Sequence, residues 1–515
     1  MNYVEHPLIK KGTIESRVYQ EKILATAVNK NTLVVLPTGL GKTALAAMVV
    51  AHTMQKYPDK RILFLAPTRP LVAQHRNSFV KFFNIDGNEI TAITGFVDPI
   101  DREFMYRKKI IFATPQVVKN DVENGFIDLE KFSLLIFDEV HRTRGAYAYS
   151  TIAKIFAKES PQGRVLALTA SPGSSRDKID KMCSDIGIEA VEIRIDTDED
   201  VSPYVKEREV EWVFVDLPKD FEEISGLLKN YIDKKSKKIE SFVPGTMTKG
   251  RMIELQRKMQ AKIRQGDKSA FFVISTIAEL LKVEHALEMI ESQGISALMN
   301  YFKKMKSDAD ENKSRAVKRI MADENIKACF EKADALFKSG DEHPKFAKLV
   351  GIVTNVFANN KDAKIIVFSN YRNTVNQIVQ KLTGINGCRP ISFVGQAKND
   401  TNNGITQKEQ IDRLQLFRDG YYNCLIGTSI SEEGLDIPAV DVAVFYEPIA
   451  SEIRSIQRRG RVGRSVKGKV FVLITKKTRD EAYYWSAQHK EKNMRRILTN
   501  MQLSPKNRGL EKWTK

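Results

Sequence analysis

From about residue 14 to residue 200, short runs that are apolar on both faces alternate with helix-length amphipathic segments. The runs are TLVVL (Thr32–Leu36), RILFLA (Arg61–Ala66), KIIFA (Lys109–Ala113), LLIF (Leu134–Phe137) and VLAL (Val165–Leu168). A strand with no polar face has to be covered on both sides. The alternation therefore predicts buried parallel strands of a doubly wound α/β sheet. The same rhythm returns in KIIVF (Lys364–Phe368), CLIG (Cys424–Gly427), VAVF (Val442–Phe445) and KVFVLI (Lys469–Ile474), which predicts a second α/β unit.

Between the two units the period changes. After one alternating run, Val210–Leu217, apolar residues step by three and four. Val273, Ile277, Leu280, Val283, Leu287 and Ile290 mark one face of a long amphipathic helix. The pattern divides the chain into an α/β domain over 1–202, a mostly helical insertion over 203–342, a second α/β domain over 343–490 and a basic tail over 491–515. The tail lacks a globular pattern and reads as a linker.

Charge sharpens this picture. The 515 residues include 82 Lys plus Arg against 64 Asp plus Glu, a formal net charge of +18. A basic surplus suits a polyanionic partner, because Lys and Arg that neutralise phosphates release condensed counterions. The insertion concentrates that charge in Asp233–Glu240, Thr248–Arg264 and Tyr301–Lys306. The acids interspersed there also allow a simple solvated helix surface. Cys183, Cys329, Cys388 and Cys424 are too scattered for a metal knuckle or a disulfide framework and read as buried thiols of a reducing compartment. No apolar stretch approaches the ~18 residues of a membrane span, and the N-terminus lacks a signal-peptide core. The expected setting is cytoplasmic, associated with the nucleoid, or nuclear in a eukaryote.

The candidate chemistry starts at LPTGLGKT (Leu36, Pro37, Thr38, Gly39, Leu40, Gly41, Lys42, Thr43). The segment follows a predicted strand and opens a predicted helix, the context a phosphate-binding loop needs. Gly39 and Gly41 let the backbone approach phosphates, and the new helix aims its N–H groups at them. Lys42 would reach the β- and γ-phosphates of ATP, and Thr43 would place a hydroxyl on Mg²⁺. Leu36 stands where the strict pattern has Gly. Farther along the same unit, Asp138-Glu139-Val140-His141 follows the strand LLIF. Asp138 is placed to hold Mg²⁺ through water, and Glu139 to accept a proton from the attacking water. Upstream, Arg17-Val18-Tyr19-Gln20 offers an amide, Gln20, that could pair with an adenine edge.

With APTRPLVAQH (Ala66–His75), ATPQV (Ala113–Val117), TASP (Thr169–Pro172), VFSNYR (Val367–Arg372), GTSISEEGLDIP (Gly427–Pro438) and QRRGRVGR (Gln457–Arg464), the set resembles the superfamily 2 helicases with a DExH box. Within them it looks most like the archaeal Hef helicases, relatives of the Fanconi anaemia M translocases and of the helicase module fused to XPF-type nucleases. The neighbouring resemblance is to Dicer and the RIG-I-like double-stranded RNA ATPases.

The resemblance implies two RecA-like domains with ATP and Mg²⁺ in the cleft between them. It implies Arg461 and Arg464 as arginine fingers, Gln457 at the γ-phosphate or attacking water, and Gly434 and Asp436 beside the ribose and the domain interface. It gives Arg17 and Gln20 to the nucleotide, and His141, Thr169 and Ser171 to the link between ATP and the nucleic-acid path. Arg69, Thr114, Arg372 and Thr428 would grip the phosphate backbone. Such contacts carry no sequence information, so the motor would be sequence-tolerant. The expected activity is an ATP-dependent helicase or translocase on forked, branched or junction DNA in repair. The alternatives are a double-stranded RNA translocase and an ATPase-dead nucleic-acid scaffold. The nuclease motif and helix-hairpin-helix repeats of a longer Hef are not found in the sequence, so nuclease activity is not expected. The sequence does not indicate protein partners.

Overall fold

The computed structural model describes residues 2–143, 147–173, 175–205, 208–242, 248–265, 267, 269–395, 405–428, 438, 440–448 and 468–503. The first lobe is built on seven strands: β1 (Thr32–Val35), β2 (Arg61–Leu65), β3 (Ile90–Ile93), β4 (Ile110–Ala113), β5 (Phe132–Phe137), β6 (Arg164–Thr169) and β7 (Ala190–Ile193). They pair in parallel in the order β3-β4-β2-β5-β6-β1-β7. Alternate residues of one strand feed two separate cores. Val34, Ile62 and Phe64 enter one, while Leu33, Val35, Leu63 and Leu65 enter the other. This is the two-sided burial that all-apolar strands predict.

The second lobe holds β8 (Arg208–Val215), β9 (Ile365–Phe368), β10 (Pro390–Phe393), β11 (Cys424–Gly427), β12 (Val442–Phe445) and β13 (Gly468–Thr475), parallel in the order β10-β11-β9-β12-β13-β8. Helices cover both faces of each sheet. The expected class, two doubly wound parallel-sheet domains around a helical insert, is the observed one. Three strands were not anticipated. β3, β7 and β10 lie at sheet edges, where burial is partial and polar residues interrupt the apolar run.

Two expected boundaries need correction. The alternating run at Val210 falls within the bounds expected for the insertion. Instead, β8 pairs with β13 along all eight residues and forms the outer strand of the second sheet. Its half-exposed alternation suits an edge strand, and the distant partner leaves no trace in local pattern. The expected tail beyond 490 instead continues the helix Arg479–Leu503 as far as the described residues go. Met494 and Leu498 of that helix are buried in the first lobe's core, with Ile497 and Met501 packed beside them. Burying side chains of this kind contributes about 1.5–3 kcal/mol each. The basic residues between them occupy the outer face and mask the stripe. The chain thus leaves the second lobe and returns to the first.

The insert is a bundle of the helices Lys219–Lys237, Lys249–Arg264, Ser269–Glu288, Ile295–Asp310, Arg315–Ala322 and Glu324–Ser339 around one core. All six residues of the predicted stripe lie in that core. A π-helical turn, Met289–Gln293, interrupts the bundle, with all five residues buried. No helix among the described residues is long and apolar enough to cross a membrane.

Candidate nucleotide and nucleic-acid site

Every described candidate lies at the carboxyl ends of the parallel strands or on the segment that follows one, apart from the Arg17–Gln20 pair. Open α/β sheets bind ligands along that edge. After β1 the backbone makes one more sheet-like bond, Leu36 N–H to the Thr169 carbonyl at 3.0 Å, and then turns. Pro37 and Thr38 are half-buried, Gly39 is exposed with φ 91°, and Gly41 caps the helix Lys42–Lys56 with φ 81°. Only glycine takes such angles without strain. A Cβ at Gly41 would also stand 2.6 Å from the Gln20 amide nitrogen.

The loop is held from behind. Tyr19 Oη donates to the Leu40 carbonyl at 2.7 Å, and Gln20 Nε2 donates to the carbonyls of Leu40 and Gly41 at 3.2 and 3.3 Å. Gln20 is buried, and its Oε1 has no hydrogen-bond partner among the described residues. A buried acceptor left unmade is costly, and the exocyclic amine of an adenine would satisfy it. Arg17 bonds Glu15 and Tyr19 and lies 4.9 Å over the Tyr204 ring. Lys42 Nζ donates to the Leu36 carbonyl at 3.2 Å, and Thr43 is half-buried one residue on.

Asp138 closes the site from β5. Its carboxylate is buried and accepts from His75 Nε2 at 2.8 Å. Burial alone would push this carboxyl up. The His75 ring, the Lys42 charge and the Glu139 backbone N–H together outweigh it and hold the group below the usual carboxylate range. Among the described residues no three His, Cys, Asp or Glu side chains cluster as a metal cage. A hard cation here would need phosphate oxygens and water to complete its shell around Asp138 and Thr43, which is how Mg²⁺ is usually held.

Glu139 adopts φ 48°, one of three described non-glycine residues with positive φ. That conformation costs about 1 kcal/mol or more and persists where the surroundings enforce it. Here Tyr149 Oη donates to the Asp138 carbonyl at 2.9 Å, and Glu139 Oε2 lies 3.3 Å from His141 Nδ1. The same nitrogen is 3.0 Å from Thr169 Oγ1, which accepts the Ser171 N–H at 3.1 Å. Ser171 Oγ in turn donates to Met494 Sδ at 3.0 Å. The structure thus brings Glu139, His141, Thr169 and Ser171 together and connects them to the helix Arg479–Leu503.

The four backbone-grip candidates fall on neighbouring strand ends. Arg69 follows β2 and starts the helix Arg69–Phe82. Thr114 follows β4, N-caps the helix Pro115–Glu123, and donates its N–H to Ile93 O at 3.3 Å. In the second lobe Arg372 follows β9 and donates to the Gly395 carbonyl at 3.0 Å. Thr428 follows β11 and is buried. Gly434, Asp436, Gln457, Arg461 and Arg464 lie outside the described residues.

Two features escaped sequence reasoning. The first is His75, which closes the APTRPLVAQH string. Only the fold, which sets the ring 2.8 Å from the carboxylate, shows that it holds Asp138. We expect His75→Ala to lower ATP hydrolysis about 10- to 100-fold, as loss of an outer-shell partner does. With the ring gone, the Asp138 carboxyl rises, so the acid limb of the pH–rate profile moves to higher pH. His75→Gln, which keeps a donor, should recover part of the rate. An unchanged acid limb in His75→Ala would refute this assignment.

The second is a buried polar junction between the insert and the second lobe. Glu447, just after β12, accepts from Gln293 Nε2 at 2.6 Å, Ser369 Oγ at 2.9 Å and the Asn370 N–H at 3.1 Å. Gln293 Oε1 accepts from Thr374 Oγ1 at 2.6 Å, and Tyr371 Oη donates to Glu288 at 2.6 Å. Burial pushes the Glu447 carboxyl up to about 7 against the pull of Lys345 and the Gln293 and Ser369 donors. Beside it, Lys345 and Asp480 form a fully buried ion pair, and Asp480 also accepts from Ser292 at 2.7 Å and the Thr475 N–H at 3.2 Å. The junction therefore fastens the π-helical turn to the SNYR segment that carries Arg372.

Comparison with known proteins agrees with this architecture. Residues 13–174 match the family described as type III restriction enzyme, res subunit. Residues 344–466 match the helicase conserved C-terminal domain, and residues 220–336 match the helical bundle of a putative ATP-dependent RNA helicase. The crystal structure of the Hef helicase domain from Pyrococcus furiosus is 40% identical with a TM-score of 0.71, covering 93% of this chain and 100% of that one. A putative ATP-dependent RNA helicase of Methanocaldococcus jannaschii is 44% identical over 97% of this chain. An ATP-dependent DNA helicase, mph1, of Neurospora crassa is 32% identical over 94%. This chain spans 63% and 43% of those two relatives.

Proposed function

Because this chain belongs to the Hef group of superfamily 2 DExH helicases, a family of ATP-dependent helicases, we propose that it uses ATP to move on, and remodel, forked or branched DNA. The observation that carries the reading is the shared edge of the first sheet. Lys42, Asp138 and Glu139 stand there beside Thr169, and Arg69 and Thr114 continue the same row of strand ends. The residues proposed for nucleotide chemistry and those proposed for strand grip are therefore neighbours on one sheet.

In this reading Lys42 and the N–H groups of its helix hold the phosphates, and Gln20 takes the adenine edge. Thr43 and Asp138 would hold Mg²⁺, Asp138 through water. The bound cation would supply charge neutralisation at the phosphate oxygens. Glu139 accepts the proton of the attacking water as the terminal phosphate bond breaks. Gln457, Arg461 and Arg464 would complete the charge stabilisation from the second lobe, so that closure of the lobes is required for turnover. Gly434 and Asp436 would lie by the ribose. His141, Thr169 and Ser171 would report the state of the nucleotide to the strand grip. The insert, with its basic helices, would hold duplex beside the branch point.

The deciding measurement is the ATP hydrolysis rate with single-stranded, duplex, forked and four-way DNA and with double-stranded RNA. Forked or four-way DNA is expected to stimulate most. Dominant stimulation by double-stranded RNA would replace this reading with an RNA translocase. The descriptions of the helical-bundle family and of the Methanocaldococcus relative keep that second reading in play.

A further inference from the structure

The loop after β3 and the short helix Pro99–Met105 present an apolar ridge to solvent. Phe96 is 73% exposed, Ile100 74% and Phe104 60%. The ridge is firmly mounted. Asp98 caps the helix through Ile100 N–H at 3.0 Å. Arg102 bonds the Val97 carbonyl at 2.8 Å and pairs with the buried Asp121 at 2.9 Å, and Tyr106 Oη donates to the same carboxylate at 2.7 Å. The outward apolar residues are therefore displayed by an anchored element.

Cations flank the rings. The Arg69 guanidinium lies 3.6 Å from the Phe96 ring centre, and that of Arg107 lies 5.3 Å from the Phe104 ring centre. One face of Phe96 is thus occupied by a positive charge, and the rest of the ring is open. β3 neighbours β4 and β4 neighbours β2, so Phe96 continues the row formed by Thr114 and Arg69. An aromatic face next to a phosphate-binding guanidinium is the arrangement that recognises an unpaired nucleotide, stacking the base and holding its phosphate.

We propose that Phe96 is a stacking platform for an unpaired base of the gripped strand, with Arg69 fixed by the ring so that it meets the adjoining phosphate. The inference rests on the nucleic-acid reading above and names the part of the substrate this rim contacts.

The test is equilibrium binding of the full chain to forked DNA whose unpaired arm carries either normal bases or abasic positions, with fully paired duplex as a control. Stacking of one base is expected to give wild type about tenfold tighter binding to the normal arm. Phe96→Ala should lose that preference, weakening binding to the normal arm by about tenfold more than binding to the abasic arm or to duplex, where only the looser placement of Arg69 is felt. Phe96→Trp should keep the preference. Equal losses by Phe96→Ala on both arms would overturn the proposal, since the ring would then serve only to place Arg69. So would no loss on either arm, which would leave the ridge for an apolar protein partner. Failure of wild type to bind any DNA would instead remove the proposed substrate, and the same abasic comparison on RNA arms would then decide the stacking.

Discussion

Lys42→Ala is expected to lower nucleic-acid-stimulated ATP hydrolysis by about 100- to 1000-fold, the usual cost of removing one preorganised charge from a transferring group. The side chain starts the helix behind the phosphate loop and meets the Leu36 carbonyl. Its charge also helps keep the Asp138 carboxyl ionised within a buried site. Removal therefore acts twice: it deletes a cation from the phosphates and relaxes the hold on the carboxylate placed for the metal. Binding to forked DNA should persist, because Arg69, Thr114 and the insert lie on other segments. Branch remodelling should disappear together with hydrolysis. A Lys42→Ala chain that still remodelled forks at the wild-type rate would leave the scaffold reading standing and end the motor reading.

The contacts around that site form a continuous series. Glu139 meets His141, His141 meets Thr169, the Ser171 N–H bonds Thr169, and Ser171 bonds Met494. Met494 belongs to a helix that begins in the second lobe, where Asp480 is paired with Lys345 and Tyr484 packs edge-on against Trp212 at 4.6 Å. The segment proposed to sense nucleotide is thus in physical contact with the element that joins the lobes. In the proposed motor that contact would give hydrolysis a route into lobe movement without a relay through solvent.

The strand–loop–helix at Lys42 and the carboxylates after β5 were readable from sequence because each is a local pattern. An apolar run is followed at once by the chemistry, and burial on both faces leaves the run uninterrupted. Partners far apart in sequence were not readable. β8 alternates like any edge strand, and nothing near Val210 points to β13. Met494 and Leu498 sit among lysines and arginines that face outward, so the stripe looks like a charged tail. His75 and Glu447 follow apolar segments as many surface residues do, and only the fold shows that each is enclosed. Lys345 precedes Phe346 and Leu349 on an amphipathic helix, where a lysine ordinarily points to water. The residues missed are those whose role depends on being buried opposite a distant partner, and local periodicity does not record this.

Asp480→Ala tests the consequence of that burial and should have the largest effect on stability. Lys345 has no exposed side-chain surface, and Asp480 supplies its paired charge. Losing one partner of a buried ion pair leaves the other charge uncompensated and costs about 3–5 kcal/mol. The Ser292 hydroxyl and the Thr475 N–H lose their acceptor as well. The damage should be regional, because the first lobe has its own cores. Amide exchange should speed up in the π-helical turn Met289–Gln293, in the SNYR segment and at the start of the helix Arg479–Leu503, with little change around β1 and β5. Asp480→Asn keeps acceptor capacity for Ser292 but not the charge, and should fall between wild type and Asp480→Ala. Adding Lys345→Met to Asp480→Ala removes the orphaned ammonium and should restore part of the loss, so the two effects will not add. If exchange in those three segments stayed at the wild-type rate in Asp480→Ala, the pair would not be fastening the insert to the second lobe. The insert would then have to be held by apolar packing alone.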